Sequence, residues 1–159
     1  MTPAWTARAA TTSDAAAIAE LIRLAFSTQS RPTNPPPSAL KESDATVNEH
    51  LQRGGGGAIV EDAGVIVGTV LWNEEEGGLY VGRLSVHPRH RRLGIAGALM
   101  EEAEREARRR RLTCLRLGVR VVLEDNRRFF ASCGFEEKTF HRHDGFDEPT
   151  WVTMERRLD

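Results

Sequence analysis

The segment 84–97 carries residue types whose order could do chemistry, because it runs from an apolar strand through a basic turn into a helix start. Gly94 and Gly97 lie at that helix start, and glycine is costly within a helix. Cations near the positive end of a helix dipole are also unfavourable. Both costs are offset when free N–H groups and nearby guanidinium groups bind an anion such as phosphate. The turn holds three arginines: Arg89, Arg91 and Arg92. We therefore expect a phosphate site here.

Length and composition restrict the class of protein. The chain has 159 residues, 40% of them hydrophobic, and a net charge of −1. We expect one domain over residues 1–159. The balanced charge argues against a nucleic-acid partner, and no apolar run approaches the ~20 residues of a membrane span. The N-terminus lacks the pattern of a secretory signal, which favours a cytoplasmic protein. Cys114 and Cys133 are expected to be buried, reduced thiols.

Hydrophobic periodicity predicts the element order βααβββαβαββ, an α/β sandwich around a mixed sheet. A proline-rich stretch at 30–38 interrupts regular structure, and the glycine run 54–57 is interpreted as a turn. Ser13 or Asp14 is expected to cap the first helix. The predicted strands are 6–9, 58–62, 65–73, 79–86, 113–119, 135–142 and 150–157. The predicted helices are 14–26, 43–52, 93–110 and 124–134.

Two blocks in this order resemble the GNAT superfamily of N-acetyltransferases, in particular its small single-domain bacterial members. Arg91-Arg92-Leu93-Gly94-Ile95-Ala96 is similar to the family signature [Q/R]-x-x-G-x-[G/A]. A second block, from Asn126 through Phe129-Phe130 to Gly134-Phe135, is similar to the family's N-x-x-x-Y-x-x-x-G-F. The ending Val152–Leu158 resembles the family's last strand. The resemblance implies the GNAT acyltransferase fold, a mixed sheet of about six or seven strands with splayed central strands and about four helices.

The resemblance also implies acetyl-CoA as cosubstrate, without a metal, and it agrees with the phosphate site that the residues themselves indicate. A backbone N–H of Ser85 or Val86 would face the thioester carbonyl and stabilise negative charge on its oxygen. Alternatively, Asn126 caps its helix, and Phe129 and Phe130 are core residues. The residues expected to contact CoA are Leu84, Ser85, Val86, Arg91, Arg92, Leu93, Gly94, Ile95, Ala96, Gly97, Asn126, Phe129 and Phe130.

The groups that handle protons are not fixed by the resemblance. Many family members carry tyrosine where Phe130 stands, and phenylalanine has no proton to donate. Candidates for the base are His87, Glu124 and His143, although the sequence favours a turn or surface position for each of them. Arg83 could bind a carboxylate of the acceptor or form a surface ion pair.

These observations favour an acetyl-CoA-dependent N-acetyltransferase, in which a primary amine of a small molecule or peptide attacks directly in a ternary complex. The alternative is an acetyl-CoA-binding module with weak or lost catalysis. The phenylalanine at position 130, where many family members carry tyrosine, favours this alternative. A dinucleotide oxidoreductase lacks its G-x-G-x-x-G, and a P-loop NTPase lacks its G-K-[ST]. The resemblance implies that segments 27–42 and 141–150 form the walls of the acceptor site. Many family members form dimers, so a homodimer is compatible with the resemblance.

Overall fold

The computed structural model describes residues 4–159. Its helices are α1 (Ala15–Ser27), α2 (Asp44–Gln52), α3 (Ile95–Arg109) and α4 (Glu124–Ser132). Its strands are β1 (Trp5–Ala9), β2 (Gly56–Asp62), β3 (Val65–Glu75), β4 (Gly78–Val86), β5 (Cys114–Arg120), β6 (Glu136–His141) and β7 (Trp151–Arg157). The order matches the order that the sequence predicts.

The strands form one seven-stranded sheet in the order β1-β2-β3-β4-β5-β7-β6. Neighbouring strands are antiparallel except for β4 and β5, which run parallel. The sheet is therefore mixed, as expected. Side chains alternate between its two faces, so Ile59 and Leu71 pack with α1 while Val60 and Val70 pack with α3.

Two apolar clusters hold the layers together. The first, on the α1 and α2 face, contains Ile18 and Ile22 of α1 and Val47 of α2. The second is larger and contains Leu99 of α3 and Phe130 of α4, packed on the opposite face. Helices that cover both faces remove the apolar sheet from water, which is the main contribution to the stability of such a fold.

The central strands separate at the middle of the sheet. Parallel pairing between β4 and β5 is confined to Leu79–Leu115 and Tyr80–Arg116. Further along, β4 is bulged against β3, and Arg83 in the bulge has a φ of 58°. A bulge bends its strand and increases the local twist. The C-terminal half of β4 therefore leaves β5, and a gap opens between the two strands as the resemblance implies.

Several details of the sequence prediction are wrong. Gly56 and Gly57 belong to β2 rather than to a turn, and they pair with β3. Helix α3 begins at Ile95, two residues later than predicted, because Gly94 before it has a left-handed φ of 83°. Gly94 is thus required by the backbone geometry and is not a destabilised helix residue.

Two further expectations need correction. The Asp14 side chain does not cap α1, since it turns back to accept a hydrogen bond from the backbone N–H of Thr11 at 2.8 Å. Cys114 is buried as expected, but Cys133 is only partly buried. The assignment of residues 1–159 to one domain stays a prediction. Within residues 4–159, no helix combines the length and the apolar character that crossing a bilayer requires.

Candidate functional site

A cavity of about 1050 Å³ follows the gap between β4 and β5. One end lies beside the start of α3, and the other lies under the chain that connects α1 to α2. Its walls on the α3 and α4 side include most of the residues expected to contact CoA: Leu84, Ser85, Val86, Arg91, Arg92, Ala96, Asn126, Phe129 and Phe130. The cavity therefore brings together the two sequence blocks that carry the resemblance.

The start of α3 is open. A Cβ added at Gly94 or at Gly97 would meet no described atom within 4 Å. Neither glycine lines the cavity wall, nor does Leu93, which is exposed. Ile95 is 1% exposed and belongs to the core, so only its backbone could serve a ligand. The first N–H groups of an α-helix have no partner within the helix, and together with the open space beside the two glycines this arrangement favours anion binding.

The arginines beside this helix start have no anionic partner in the described chain. Among residues 4–159, no carboxylate forms an ion pair with Arg89, Arg91 or Arg92. Arg91 does donate from Nη2 to the Thr28 hydroxyl at 3.2 Å. At the other end of α3, by contrast, Arg109 and Arg110 both pair with Glu106. The uncompensated positive charge is therefore concentrated where the helix dipole is also positive.

The bulged strand presents backbone groups to the gap. The His87 N–H donates to the Val67 carbonyl of β3 at 2.8 Å. Successive N–H groups of a strand point to opposite sides, so the Val86 N–H points away from β3 and toward the gap. Ser85 is 2% exposed, and its hydroxyl donates to the Arg83 carbonyl at 3.0 Å. Of the two residues that the sequence offered as backbone donors, Val86 has the suitable direction.

The cavity continues under the connection between α1 and α2, where Arg83 meets Glu42. Arg83 Nε donates to Glu42 Oε2 at 3.0 Å, and its terminal nitrogens donate to the Ser38 hydroxyl. The Thr46 hydroxyl donates to the other carboxylate oxygen of Glu42 at 2.7 Å. Arg83 therefore lies in the cavity wall as an ion-paired side chain, the second of the two roles considered for it.

None of the three candidate bases lines the cavity. His87 precedes a short 3-10 turn, and its Nδ1 accepts a hydrogen bond from the Arg89 N–H. Glu124 is exposed on α4 and forms an ion pair with Arg128. Burial, together with the nearby positive charge of Arg120, lowers the pKa of His143. The structure therefore does not place these side chains with the predicted CoA-contacting residues.

Tyr80 is a cavity residue that the sequence interpretation missed. It is the single tyrosine of the sequence and it lines the gap near the point where β4 and β5 part. A Cβ at Gly118 of β5 would lie 3.0 Å from the Tyr80 hydroxyl oxygen, so the side chain spans the gap. Burial raises the pKa of Tyr80 above its usual value of 10.0. The phenol is therefore a protonated donor at neutral pH.

A pattern in the sequence could have found Tyr80. Leu79 and Val81 are apolar and buried, so alternation places the side chain between them on the opposite face of the sheet. Two of the other missed cavity residues, Arg120 and Trp151, lie on β5 and β7 and approach the cavity through strand pairing.

The site combines a parted central strand pair, an open helix start and arginines without carboxylate partners, features that suit an elongated ligand carrying phosphate. The sequence profile of the Acetyltransferase (GNAT) family matches residues 16–135. The chain belongs to this family. The family-level prediction and the predicted fold are thereby confirmed.

Solved structures share the fold at low sequence identity. PaiA N-acetyltransferase from Thermoplasma acidophilum, in complex with coenzyme A, is 17% identical with a TM-score of 0.80, covering 99% of this chain and 100% of that one. YncA from Salmonella typhimurium, with acetyl-CoA, is 22% identical with a TM-score of 0.74 and coverages of 99% and 95%. The ribosomal-protein-alanine N-acetyltransferase of Brucella melitensis is 20% identical with a TM-score of 0.76 and coverages of 96% and 99%. No curated protein sequence matched significantly.

Proposed function

We propose that this protein is an N-acetyltransferase that uses acetyl-CoA and acetylates a primary amine of a small molecule or peptide. The open start of α3, where Arg91 and Arg92 lack anionic partners, carries this proposal. Family membership supports acetyl transfer, and two of the similar structures, those of YncA and PaiA, hold acetyl-CoA or coenzyme A. The Brucella relative, which is described as acting on a ribosomal-protein alanine, is an example of a peptide amine acceptor.

The residues present fit acetyl-CoA, which supplies an acetyl group activated as a thioester. The backbone N–H groups at the start of α3 would bind the diphosphate, with charge from Arg91 and Arg92. The unpaired edge of β4 at 84–86 would bond the amide-bearing arm of the carrier, as an added strand does. Asn126 and the two phenylalanines of α4 line the same cavity and would contact the arm from the other side.

Chemistry would take place where the gap meets the connection between α1 and α2. The Val86 N–H is directed into the gap and would donate to the thioester oxygen, on which negative charge grows as the amine attacks. The Tyr80 hydroxyl lies in the same gap and retains its proton at neutral pH. As the C–N bond forms and the C–S bond breaks, we assign Tyr80 the role of proton donor to the departing thiolate, in place of the tyrosine that Phe130 replaces. The amine would release its proton to water, and the tyrosinate would regain one from water.

An acetyl-CoA-binding module without catalysis is the second candidate, and Phe130 is the observation in its favour. Phe130 is 9% exposed and packs edge-on against Phe129 and Phe135, so it is a core residue as well as a cavity wall. The presence of Tyr80 in the cavity weakens this candidate, because it supplies a hydroxyl from another strand.

Two measurements test the proposal on the full chain. Calorimetric titration with acetyl-CoA measures binding, and a thiol reagent measures CoA release in the presence of amino acids, polyamines, aminoglycosides and N-terminal peptides. We expect binding together with CoA release that depends on one class of amine. Binding without release on any amine would favour the module. Absence of binding at millimolar acetyl-CoA would overturn both candidates.

A further inference from the structure

Arg120 is a cavity-lining arginine without an acidic partner. It is the last residue of β5 and is partly buried. Its Nη1 donates to the Pro35 carbonyl at 2.7 Å, and its Nη2 lies 3.4 Å from the Pro36 carbonyl. Across residues 4–159, no carboxylate forms an ion pair with it. Carbonyl oxygens accept its hydrogen bonds but leave its full charge uncompensated.

Other arginines of this part of the molecule are neutralised. Arg116, four residues earlier on the same strand, pairs with Glu155 at 3.1 Å. Arg83, across the cavity, pairs with Glu42. For Arg120, burial lowers the pKa, and no neighbouring carboxylate opposes that shift. A partly buried cation without a counter-charge is unfavourable, so its retention in a cavity wall points to an anion that arrives with a ligand.

The location of Arg120 favours the acceptor over the carrier. The α1–α2 connection contacts it through the two proline carbonyls. Its pairing partner in the sheet is Trp151, at the start of β7 and in the same cavity wall. The second segment, 141–150, ends at Thr150, whose carbonyl accepts from the N–H of Val121 at 3.0 Å. Both segments that are expected to wall the acceptor site therefore lie next to Arg120. The start of α3, which we assign to the diphosphate, follows the end of β4, whereas Arg120 lies on the side of the cavity that the α1–α2 connection covers.

We propose that the acceptor is an amine that also carries a carboxylate, as a free amino acid does, and that Arg120 binds this carboxylate. Arg is suited to this role because its planar guanidinium holds a carboxylate through two parallel hydrogen bonds. This inference rests on the proposed acetyl transfer and narrows its acceptor class. An amine whose carboxylate is blocked would leave Arg120 unpaired within the complex and would bind less well.

The test compares each amino acid with its carboxamide as acceptor, at saturating acetyl-CoA. For the best amino acid, we expect kcat/KM to exceed that of the amide by about tenfold or more, mainly through KM. The variant Arg120→Gln should lose this preference while its Kd for acetyl-CoA is unchanged. Arg120→Lys should retain part of the preference that Arg120→Gln loses, because lysine keeps the positive charge but lacks the paired hydrogen-bond donors of the guanidinium group. Thermal melts of both variants show whether the α1–α2 connection is still held.

The outcomes separate the two levels of the proposal. Absence of acetyl-CoA binding by the unaltered protein contradicts the proposed function itself. Binding together with equal use of acids and amides, preference for polyamines or peptides, or no use of any amino acid overturns the role of Arg120 alone. A loss of acetyl-CoA affinity in Arg120→Gln also overturns it, because the side chain would then serve the carrier.

Discussion

Reversing the charge of Arg92 tests the phosphate site directly. Arg92 is exposed, lines the cavity beside the α3 start, and forms no ion pair within the described residues. Its φ of 65° is positive, and a glutamate would occupy the same backbone with the same Cβ. The variant Arg92→Glu should therefore retain the fold. A carboxylate near the positive end of the helix dipole should even stabilise it, by up to about 1 kcal/mol.

The expected loss of affinity follows from Coulomb's law. Two unit charges 4 Å apart interact by about 1 kcal/mol in water, and more where the solvent is partly excluded. Arg92→Glu changes the charge by two units, so each phosphate charge at such a distance loses about 2 kcal/mol. This corresponds to a Kd for acetyl-CoA that is raised about 30-fold. Because the site is open to solvent, the loss should shrink at 1 M salt, where the screening length falls to about 3 Å.

The matched control is Arg89→Glu. It changes the charge equally, three residues away, but Arg89 does not line the cavity. Calorimetric titration of both variants at low and high salt separates a local contact from a general field. Equal losses of affinity in the two variants would reduce the effect to net charge. An unchanged Kd in Arg92→Glu, with an intact thermal melt, would refute the assignment of the α3 start to the diphosphate.

Three further substitutions have defined outcomes. Tyr80→Phe should lower kcat by about tenfold or more at an unchanged Kd for acetyl-CoA, and an unchanged kcat would remove Tyr80 from proton transfer. Phe130→Tyr should change kcat and the Kd for acetyl-CoA by no more than about twofold, since Tyr80 already supplies a hydroxyl. A large rise in kcat would show that the unaltered protein lacks a proton donor. Asp14→Asn should lower the free energy of unfolding by about 2 kcal/mol at pH 7, measured by urea denaturation, because hydrogen bonds from Arg8 lower the pKa of Asp14 from 3.8 to about 2. That stability is complete above pH 3.8 and is lost as the pH falls toward 2, so equal acid sensitivity of variant and parent would contradict it.

The sequence predicts the elements well because their signals are local. The stripe of α3, with Leu99, Met100 and Ala103, repeats at the spacing of a helix, and these residues are buried. The alternating strands and the hairpin at 63–64 are equally local. The glycines at 56–57 led to a wrong prediction, because a glycine run indicates a turn. In the structure, each of them lies close against β3. A Cβ at Gly56 would lie 2.4 Å from Trp72 Nε1, and only the paired strand reveals that contact.

The candidate site also has one part with a local sequence signal and one part that depends on distant residues. The proposed phosphate site is contained in one continuous segment, residues 91–97, which the sequence alone can single out. The proposed acceptor half depends on residues that meet only in the fold over long sequence separations, such as Arg120 with the carbonyls of Pro35 and Pro36. His87 and His143 were candidates because imidazole suits a base and because their sequence positions follow the central strand or fall in a late polar loop. Neither lines the cavity, although each is close to a residue that does, so sequence position near a site does not identify a base.

The bulge in β4 connects the two halves of the site. An extra residue there bends the strand away from β5, and the Val86 N–H faces the resulting gap, where we propose that the carrier binds. The same bulge holds Arg83 at a positive φ, an unfavourable conformation for a residue with a Cβ. Arg83 pairs with Glu42 and donates to Ser38, so it ties the α1–α2 connection to the bulge. Because Arg83 is ion-paired, Arg120 is the cavity arginine near the α1–α2 connection that has no carboxylate partner within residues 4–159, and we expect the choice of acceptor to depend on it.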